Sequence, residues 1–310
     1  MADREANLAY VFPGQGSQRV GMGRDLYDAS IPAREIFEEA DDALGFSLSR
    51  LCFEGPEEEL AKTVNAQPAI LTTSVACLRS ADNFTSGLIP PAFVAGHSLG
   101  EYTALVAADV LDFADAVQLT RQRGKLMQEA GERIPGGMAA IIGLDALSVE
   151  EICQETGAQI SNINSPTQIV IGGSRETLAR AMDLARAMGA KYVTPLKVSG
   201  AFHCSLMQPA TGGMAEAISQ LNFSDPKVPI VVNSTAQPVT TTTEIKDELL
   251  QQLSSCVQWQ KSVEYMVDAG VSTFVEIGPG QVLRGLIKRI NPEAQILNVE
   301  DASSVKVMSI

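Results

Sequence analysis

Short apolar segments alternating with longer helical patterns restrict the fold of this 310-residue chain more than any other feature. Five of them are rich in Val, Ile and Phe and are predicted to be buried strands: "LAYVF" (8–12), "AFVAG" (92–96), "PIVVN" (229–233), "TFVEIG" (273–278) and "ILNV" (296–299). Strands that alternate with helices favour a parallel sheet with helices on both faces. We therefore predict an α/β fold whose main sheet is mostly parallel.

The middle of the chain follows a different order, β-α-β-β-α-β, which is typical of a ferredoxin-like unit. Its strands are "MAAIIGL", "AQISNIN", "QIVIGG" and "KYVTPLKV", with a turn expected at Ser165 and Pro166 between the second and the third. This pattern predicts a small domain at 133–199, inserted into a discontinuous large domain at 1–132 and 200–310.

Helix ends in both parts can be predicted from capping residues. The long helical stretch at 104–130 is expected to break near residues 109–112. In the inserted part, Ser148 with Glu151 is predicted to form a capping box, and Ser174 to cap the second helix.

The composition excludes several classes of function. A net charge of −14 disfavours nucleic-acid binding, which needs a basic face. The apolar run in "MADREANLAYVF" is shorter than a signal peptide needs, and no apolar run is long enough to span a membrane. The five cysteines form no CxxC motif, so we expect no metal site. We therefore expect a cytoplasmic protein.

The stretch "GHSLGEY" places Ser98 between two glycines, directly after a predicted strand and before a helical pattern. This context is that of the nucleophile elbow of α/β-hydrolase-like folds, in which small neighbours allow a tight, strained turn. The following helix then offers backbone N–H groups to a developing oxyanion. The alternative is a glycine-flanked turn in which the serine only caps the helix.

A nucleophilic serine needs a base, and the chain has only two histidines. His97 is adjacent to Ser98, and neighbouring side chains at a strand end point in different directions, which favours a supporting role. His203, in "SGAFHCSLM", is the remaining candidate, although a histidine taken alone is more often a hydrogen-bonded core residue. The glycines of "FPGQGSQ" (12–18) would allow backbone N–H groups to approach a reacting carbonyl.

Taken together, these motifs resemble the malonyl-CoA:acyl-carrier-protein transacylase family and the acyltransferase domains of polyketide synthases. The resemblance covers about residues 8–300 and rests on motifs in the family's order: "FPGQGSQ", "NAQPAI", "GHSLGEY", "RQRGKLMQEA", "NSPTQIVIGG", "GAFHCSLM", "VQWQKSVEYM" and "VEIGPGQVL". It implies that Ser98 is the nucleophile and that His203 is first its base and then an acid. It also implies that the backbone carbonyl of Gln258 orients the histidine, and that the N–H groups of Gln15 and Leu99 form the oxyanion hole.

The resemblance also implies a site for the acyl group. Arg123 would pair with the free carboxylate of a malonyl unit, a task for which a planar guanidinium is suited. By sequence alone, Arg123 could instead be a solvated helix charge like its neighbours Arg121 and Lys125.

Three further family positions are expected to line the acyl pocket: Gln67, Asn164 and Phe202. Phe202 would narrow the pocket beside the α-carbon and favour malonyl over methylmalonyl. Gly200 stands where the related polyketide domains often have histidine, which weakens this specificity argument.

The implied reaction is ping-pong acyl transfer from malonyl-CoA to the phosphopantetheine thiol of an acyl carrier protein, with no metal or bound cofactor. The carrier is expected to be acidic, so a local basic patch would be needed. Candidates for it are Lys191, Lys197, Arg284, Lys288 and Arg289, which could also be scattered solvated charges. A serine hydrolase and a catalytically silent carrier-binding subunit are the alternative functions.

Overall fold

The computed structural model describes residues 7–305 and contains two separate sheets. The main sheet has the strand order β10-β9-β1-β2-β7-β8, in which every pair is parallel except β7 and β8. Its strands are β1 (Leu8–Phe12), β2 (Phe93–Gly96), β7 (Ile230–Val231), β8 (Pro238–Val239), β9 (Thr273–Ile277) and β10 (Gln295–Val299). All five strands predicted from apolar runs are present, and β8 is the one that the sequence reading missed.

Helices cover both faces of the main sheet. Along the central strand β1, Ala9 and Val11 pack into one apolar cluster with the helices α12 and α13, while Tyr10 and Phe12 pack into a second cluster with α5 and α6. This alternation is expected of a strand buried on both sides. The helices of the main part are α1 (Arg24–Ala29), α2 (Ile31–Leu44), α3 (Leu48–Glu54), α4 (Glu57–Ala61), α5 (Thr63–Thr85), α6 (Gly100–Ala107), α7 (Phe113–Arg133), α10 (Gln208–Ser219), α11 (Thr242–Gln251), α12 (Trp259–Asp268) and α13 (Val282–Ile290). The predicted break near 109–112 is confirmed, since α6 ends before it and α7 begins after it.

The second sheet lies in the middle of the chain and is antiparallel, with the order β4-β5-β3-β6. Its elements follow the predicted β-α-β-β-α-β order and form their own apolar cluster. They are β3 (Gly136–Ile142), α8 (Ala146–Thr156), β4 (Gln159–Ser165), β5 (Gln168–Ser174), α9 (Arg175–Ala187) and β6 (Tyr192–Pro195). We call this the inserted unit.

The bounds 133–199 for an inserted domain stay a prediction. Residues 1–6 and 306–310 of the predicted large domain lie outside the described residues.

One predicted helix cap in the inserted unit is wrong. Helix α8 begins earlier than expected and its N-cap is Asp145, whose carboxylate accepts a hydrogen bond from the backbone N–H of Ser148 at 2.8 Å. An N-cap position favours a carboxylate, because the carboxylate accepts hydrogen bonds from the free N–H groups of the first helical turn. The predicted cap of α9 is confirmed, since the Ser174 hydroxyl accepts from the N–H of Thr177.

Parallel strands bring their carboxyl ends to one edge of the main sheet, where ligands commonly bind in open α/β folds. Phe12 of β1 pairs with Gly96 of β2, so the glycine-rich loop after β1 lies beside the turn after β2. The segment after β7 begins at the same edge. Within residues 7–305, no helix combines the length and apolar character needed to cross a membrane.

Candidate active site

Ser98 lies at the tip of a sharp turn between β2 and α6, and its backbone has a φ of 52°. A side chain at Gly96 would come within 1.9 Å of the backbone of Gly100, and a side chain at Gly100 would come within 2.1 Å of the carbonyl of Phe12. Only glycine fits at either position, which explains the spacing of the motif. The predicted turn geometry is therefore present.

Asn233, at the carboxyl end of the neighbouring strand, holds this strained turn in place. Its side-chain oxygen accepts a hydrogen bond from the Ser98 N–H at 2.6 Å, and its amide donates to the carbonyl of Gly96 at 2.7 Å. The Asn233 N–H in turn donates to the buried carboxylate of Glu101 at 2.9 Å. A residue with positive φ persists when its surroundings fix it, and Asn233 supplies two of those contacts.

The side chains of Ser98 and His203 meet although 105 residues separate them. Ser98 Oγ lies 2.7 Å from His203 Nε2, and His203 Nδ1 lies 2.7 Å from the backbone carbonyl of Gln252. A carbonyl can only accept, so Nδ1 carries the hydrogen and Nε2 is free to accept the hydroxyl proton of Ser98. Burial, followed by the nearby positive charge of Arg123, lowers the pKa of His203 from 6.5 to about 3. The imidazole is therefore neutral at physiological pH.

The prediction that Gln258 supplies the orienting carbonyl is wrong. The carbonyl of Gln258 accepts from the N–H of Ser262 at 3.0 Å, in the first turn of α12. Gln252 follows the last residue of α11, where helix carbonyls lack partners within the helix. Its carbonyl is therefore available to the histidine.

Arg123 is fully buried, and its guanidinium faces the Ser98 hydroxyl. It donates to Ser98 Oγ at 3.2 Å, to the side-chain oxygen of Gln67 at 2.9 Å, and to the side-chain oxygen of Gln252 at 2.7 Å. These three acceptors are neutral, and no carboxylate of residues 7–305 forms an ion pair with Arg123. The Nε of Arg123 has no hydrogen-bond partner among residues 7–305. The guanidinium lies 5.2 Å from the ring centroid of Tyr102.

A buried cation without a counter-ion is costly, because water no longer stabilises its charge. Desolvation lowers the pKa of Arg123, although an arginine stays protonated in any protein environment. The arrangement therefore favours an anionic group beside the Ser98 hydroxyl.

The first two turns of α5 contact both the loop after β1 and the groups of this site. Thr63 and Gln67 are four residues apart and so lie on the same helix face. The Thr63 hydroxyl accepts from the side-chain amide of Gln15 at 3.2 Å and lies 3.0 Å from the Ser199 hydroxyl. Backbone N–H groups of Gln15 and Leu99 have no acceptor among residues 7–305, as an oxyanion site requires.

The remaining predicted site residues occupy different surroundings. Asn164 lies at the end of β4 with its side-chain oxygen 2.8 Å from His97 Nε2. Phe202 is buried in the main apolar cluster, one residue before His203. His97 also packs edge-on against Trp259, and burial lowers its pKa. These contacts agree with the supporting role expected for His97.

The five basic residues proposed as a patch are exposed, but the structure does not bring all of them together. Arg289 donates to the side chain of Gln168, and the N–H of Lys191 donates to the carbonyl of Ile142. Since Ile142 pairs with Gln168 and Tyr192, Arg289 and Lys191 lie at the same end of the inserted sheet. Lys197 follows Leu196, which bonds Met138 at the other end of that sheet.

Sequence reasoning missed Gln252, Asn233 and Glu101 as parts of the site. Asn233 ends the predicted strand "PIVVN", so its place at the carboxyl edge of the sheet could have indicated it. Gln252 gave no signal, since several glutamines surround it and its contacts depend on tertiary packing. Among residues 7–305 there is also no group of three or more His, Cys, Asp or Glu side chains placed to hold a metal ion.

The sequence is similar to those of known proteins along nearly its whole length. The family model described as the acyl transferase domain matches residues 9–309. The malonyl CoA-acyl carrier protein transacylase of Escherichia coli strain K12 is 50% identical over 287 residues, which cover 91% of this chain and 92% of the relative. The Bacillus subtilis protein of the same name is 44% identical over 307 residues, which cover 97% of this chain and 96% of the relative.

Solved structures with the same fold include an acyl carrier protein S-malonyltransferase from Vibrio cholerae. It has a TM-score of 0.93 and 42% identity, over 97% of this chain and 99% of that one. A second structure shows a type II polyketide-synthase acyl-carrier protein in complex with its malonyl-transacylase. Its matching chain has a TM-score of 0.93 and 43% identity, over 97% of this chain and 98% of that one.

Proposed function

This chain belongs to the acyl transferase family and, within it, to the malonyl CoA-acyl carrier protein transacylases, and we therefore propose that it transfers a malonyl group from malonyl-CoA to the phosphopantetheine thiol of an acyl carrier protein. The transfer proceeds in two halves through a malonyl ester on Ser98. The contact that carries the proposal is Ser98 Oγ held between His203 Nε2 and Arg123.

In the first half, Ser98 Oγ attacks the thioester carbonyl while His203 Nε2 takes the hydroxyl proton. The negative charge that develops on the carbonyl oxygen is stabilised by the N–H groups of Gln15 and Leu99, a contribution of about 3–4 kcal/mol per donor in comparable sites. As the C–S bond breaks, the imidazolium returns its proton to the CoA sulfur. The carbonyl of Gln252 keeps Nδ1 protonated throughout.

The second half repeats these steps with the carrier's thiol. His203 Nε2 takes the thiol proton, the thiolate attacks the Ser98 ester, and the C–O bond breaks as the proton passes to Ser98 Oγ. Every proton moves through one nitrogen of His203, so the steps require no further acid, metal or bound cofactor.

Arg123 selects the acyl group in this proposal. The malonyl carboxylate pairs with its guanidinium in place of the contact to Ser98, while Gln67 and Gln252 keep their hydrogen bonds and hold the planar group in position. An acetyl group would leave the buried cation unpaired, which is costly. Burial is the main cause of the lowered His203 pKa and the Arg123 charge the second; pairing with the malonyl carboxylate offsets the second, so it makes the base stronger.

We place the carrier's docking surface at Lys191, Lys288 and Arg289, with Arg284 one turn before Lys288 on the same helix. Lys197 is left outside it because it lies at the other end of the inserted sheet. An acidic carrier would be attracted to this surface despite the negative net charge of the chain. Changing Lys288 and Arg289 together to Glu should raise the KM for the carrier and leave the malonyl-CoA half-reaction unchanged. An unchanged KM would reject the surface.

The proposal is tested by following the fate of the malonyl group. Protein is mixed with malonyl-CoA, unreacted substrate is removed, and carrier protein with a free phosphopantetheine thiol is added. Intact mass spectrometry should show a malonyl adduct that disappears from this chain and appears on the carrier. Rapid release of free malonate before the carrier is added would indicate a hydrolase, and the absence of any adduct would indicate a silent binding subunit.

A further inference from the structure

Strand β4 of the inserted unit contacts three chain segments around the site: the one that carries Ser98, the one that carries His203, and residues 257–258. At its end, Asn164 bonds His97, the residue before Ser98. At its start, the Gln159 side chain accepts from the Ser205 N–H at 3.0 Å and its amide donates to the Ser205 hydroxyl at 2.6 Å, two residues after His203.

The middle of β4 contacts the third segment. The N–H of Ile163 donates to the carbonyl of Val257, and the N–H of Val257 donates to the carbonyl of Ser161, both at 2.9 Å. The next residue after Val257 donates through its backbone N–H to the carbonyl of Asn233, whose side chain holds the Ser98 turn. One strand is therefore connected to both sides of the Ser98–His203 pair.

The pairing of β4 with β5 is irregular at two of the residues that make these contacts. Ile160 pairs with Ile171, but the next pair joins Asn162 to Val170, which leaves Ser161 as an extra residue. A second irregularity leaves Asn164 extra in the same way, between the paired residues Ile163 and Ser165.

A bulge redirects the side chain and backbone of the extra residue. The shift of one residue also moves the side chains that follow it to the other face of the sheet. Both bulged residues contact segments of the site: the Ser161 carbonyl accepts from Val257, and the Asn164 side chain bonds His97. Both are buried, with Asn164 only 7% exposed.

We propose that β4 is a positioning element for the reaction, which sets the distance between Ser98 and His203 by holding His97 through Asn164 and Ser205 through Gln159. The inserted unit thus has a task in acyl transfer. This inference rests on the proposed function, since it concerns the rate at which Ser98 is malonylated.

The test compares Asn164→Ala, Gln159→Ala and the double variant in single-turnover malonylation at several malonyl-CoA concentrations. Each single change should lower the maximal rate constant about 10- to 100-fold, the range expected when reacting groups lose their alignment, with half-saturation changed less than about twofold. Loss of either contact alone already leaves the distance between Ser98 and His203 unfixed. The double variant should therefore be no more than about threefold slower than the slower single variant.

Two controls separate positioning from general damage. Gln168→Ala removes another contact between the inserted unit and the main part, the one to Arg289, and should leave the rate within about twofold of wild type. Gln159→Glu keeps the acceptor for the Ser205 N–H and should recover most of the rate lost in Gln159→Ala. Gln159 is partly exposed and Ser205 exposed, so these variants leave the core intact.

Three results would overturn the inference: unchanged rate constants, losses that multiply in the double variant, or an equal loss in Gln168→Ala. Failure of the wild-type protein to form an adduct would instead reject the proposed function.

Discussion

Replacing Arg123 by Met tests how the site selects its acyl group. Met removes the charge while keeping much of the side-chain volume. In the proposed complex, the malonyl carboxylate accepts two hydrogen bonds from the guanidinium, and a bond to a charged group contributes about 1.5–3 kcal/mol. Loss of both costs roughly 3–6 kcal/mol, or about 10²- to 10⁴-fold in the rate with malonyl-CoA at limiting substrate.

Acetyl-CoA should respond differently, because its acyl group never pairs with the cation. We expect its rate to stay the same or rise once the buried charge is gone, so the ratio of malonyl to acetyl transfer should fall by about the factor estimated above. The assay is the initial rate of adduct formation with each thioester, compared at equal low concentrations.

Arg121→Met is the matched control for this change. Arg121 lies on the same helix, bonds the side chain of Asn65 at 2.8 Å and stacks on Phe46 at 4.3 Å from the ring centroid. Its loss should reduce thermal stability slightly and leave the malonyl-to-acetyl ratio unchanged. If Arg123→Met keeps the wild-type ratio, or if Arg121→Met loses it, the assignment of the carboxylate to Arg123 is refuted.

Three further predictions concern the surroundings of the same groups. Gln67→Glu should lower the malonyl-to-acetyl ratio at least about tenfold, because the new carboxylate would neutralise Arg123 in the free protein, and an unchanged ratio in paired rate measurements would contradict this. Gln252→Ala keeps the carbonyl that holds His203 but removes the side-chain bonds to Arg123 and to the Ser98 carbonyl. In stopped-flow measurements, malonylation by this variant should be about 10- to 100-fold slower. The control Gln258→Ala should change the rate less than about twofold. The profile of kcat/KM against pH should show no acid limb near 6.5, since the His203 pKa is lowered to about 3 and the neutral base persists down to that value; a limb with an apparent pKa near 6.5 would show that the base is not desolvated in this way.

Much of the fold was predictable because local patterns and long-range packing agree here. The apolar runs of the main sheet are buried on both faces, so their continuous hydrophobicity identifies them without knowledge of their neighbours. Strand β8 was missed because it is only two residues long and is defined by its pairing with β7. The cap of α8 was misplaced because two acceptable capping residues, Asp145 and Ser148, lie three residues apart.

The site was less accessible from the sequence than the fold. Ser98 carries a local signal in its flanking glycines, and His203 could be identified because the chain has so few histidines. Asn233 and the side chain of Gln252 act through contacts with residues more than a hundred positions away, as in the bond from Ser98 to Asn233. The error at Gln258 has the same origin, since only the packing of α11 shows which carbonyl reaches the histidine.

The central claim is that Ser98 carries the malonyl group between the two thiols. The most direct measurement is intact mass after brief exposure to malonyl-CoA, followed by peptide mapping, for the wild-type protein and for Ser98→Ala. We predict one malonyl group per chain, located on the peptide that contains Ser98, and none in the variant. An adduct that persists in Ser98→Ala, or that maps to another peptide, would contradict the account.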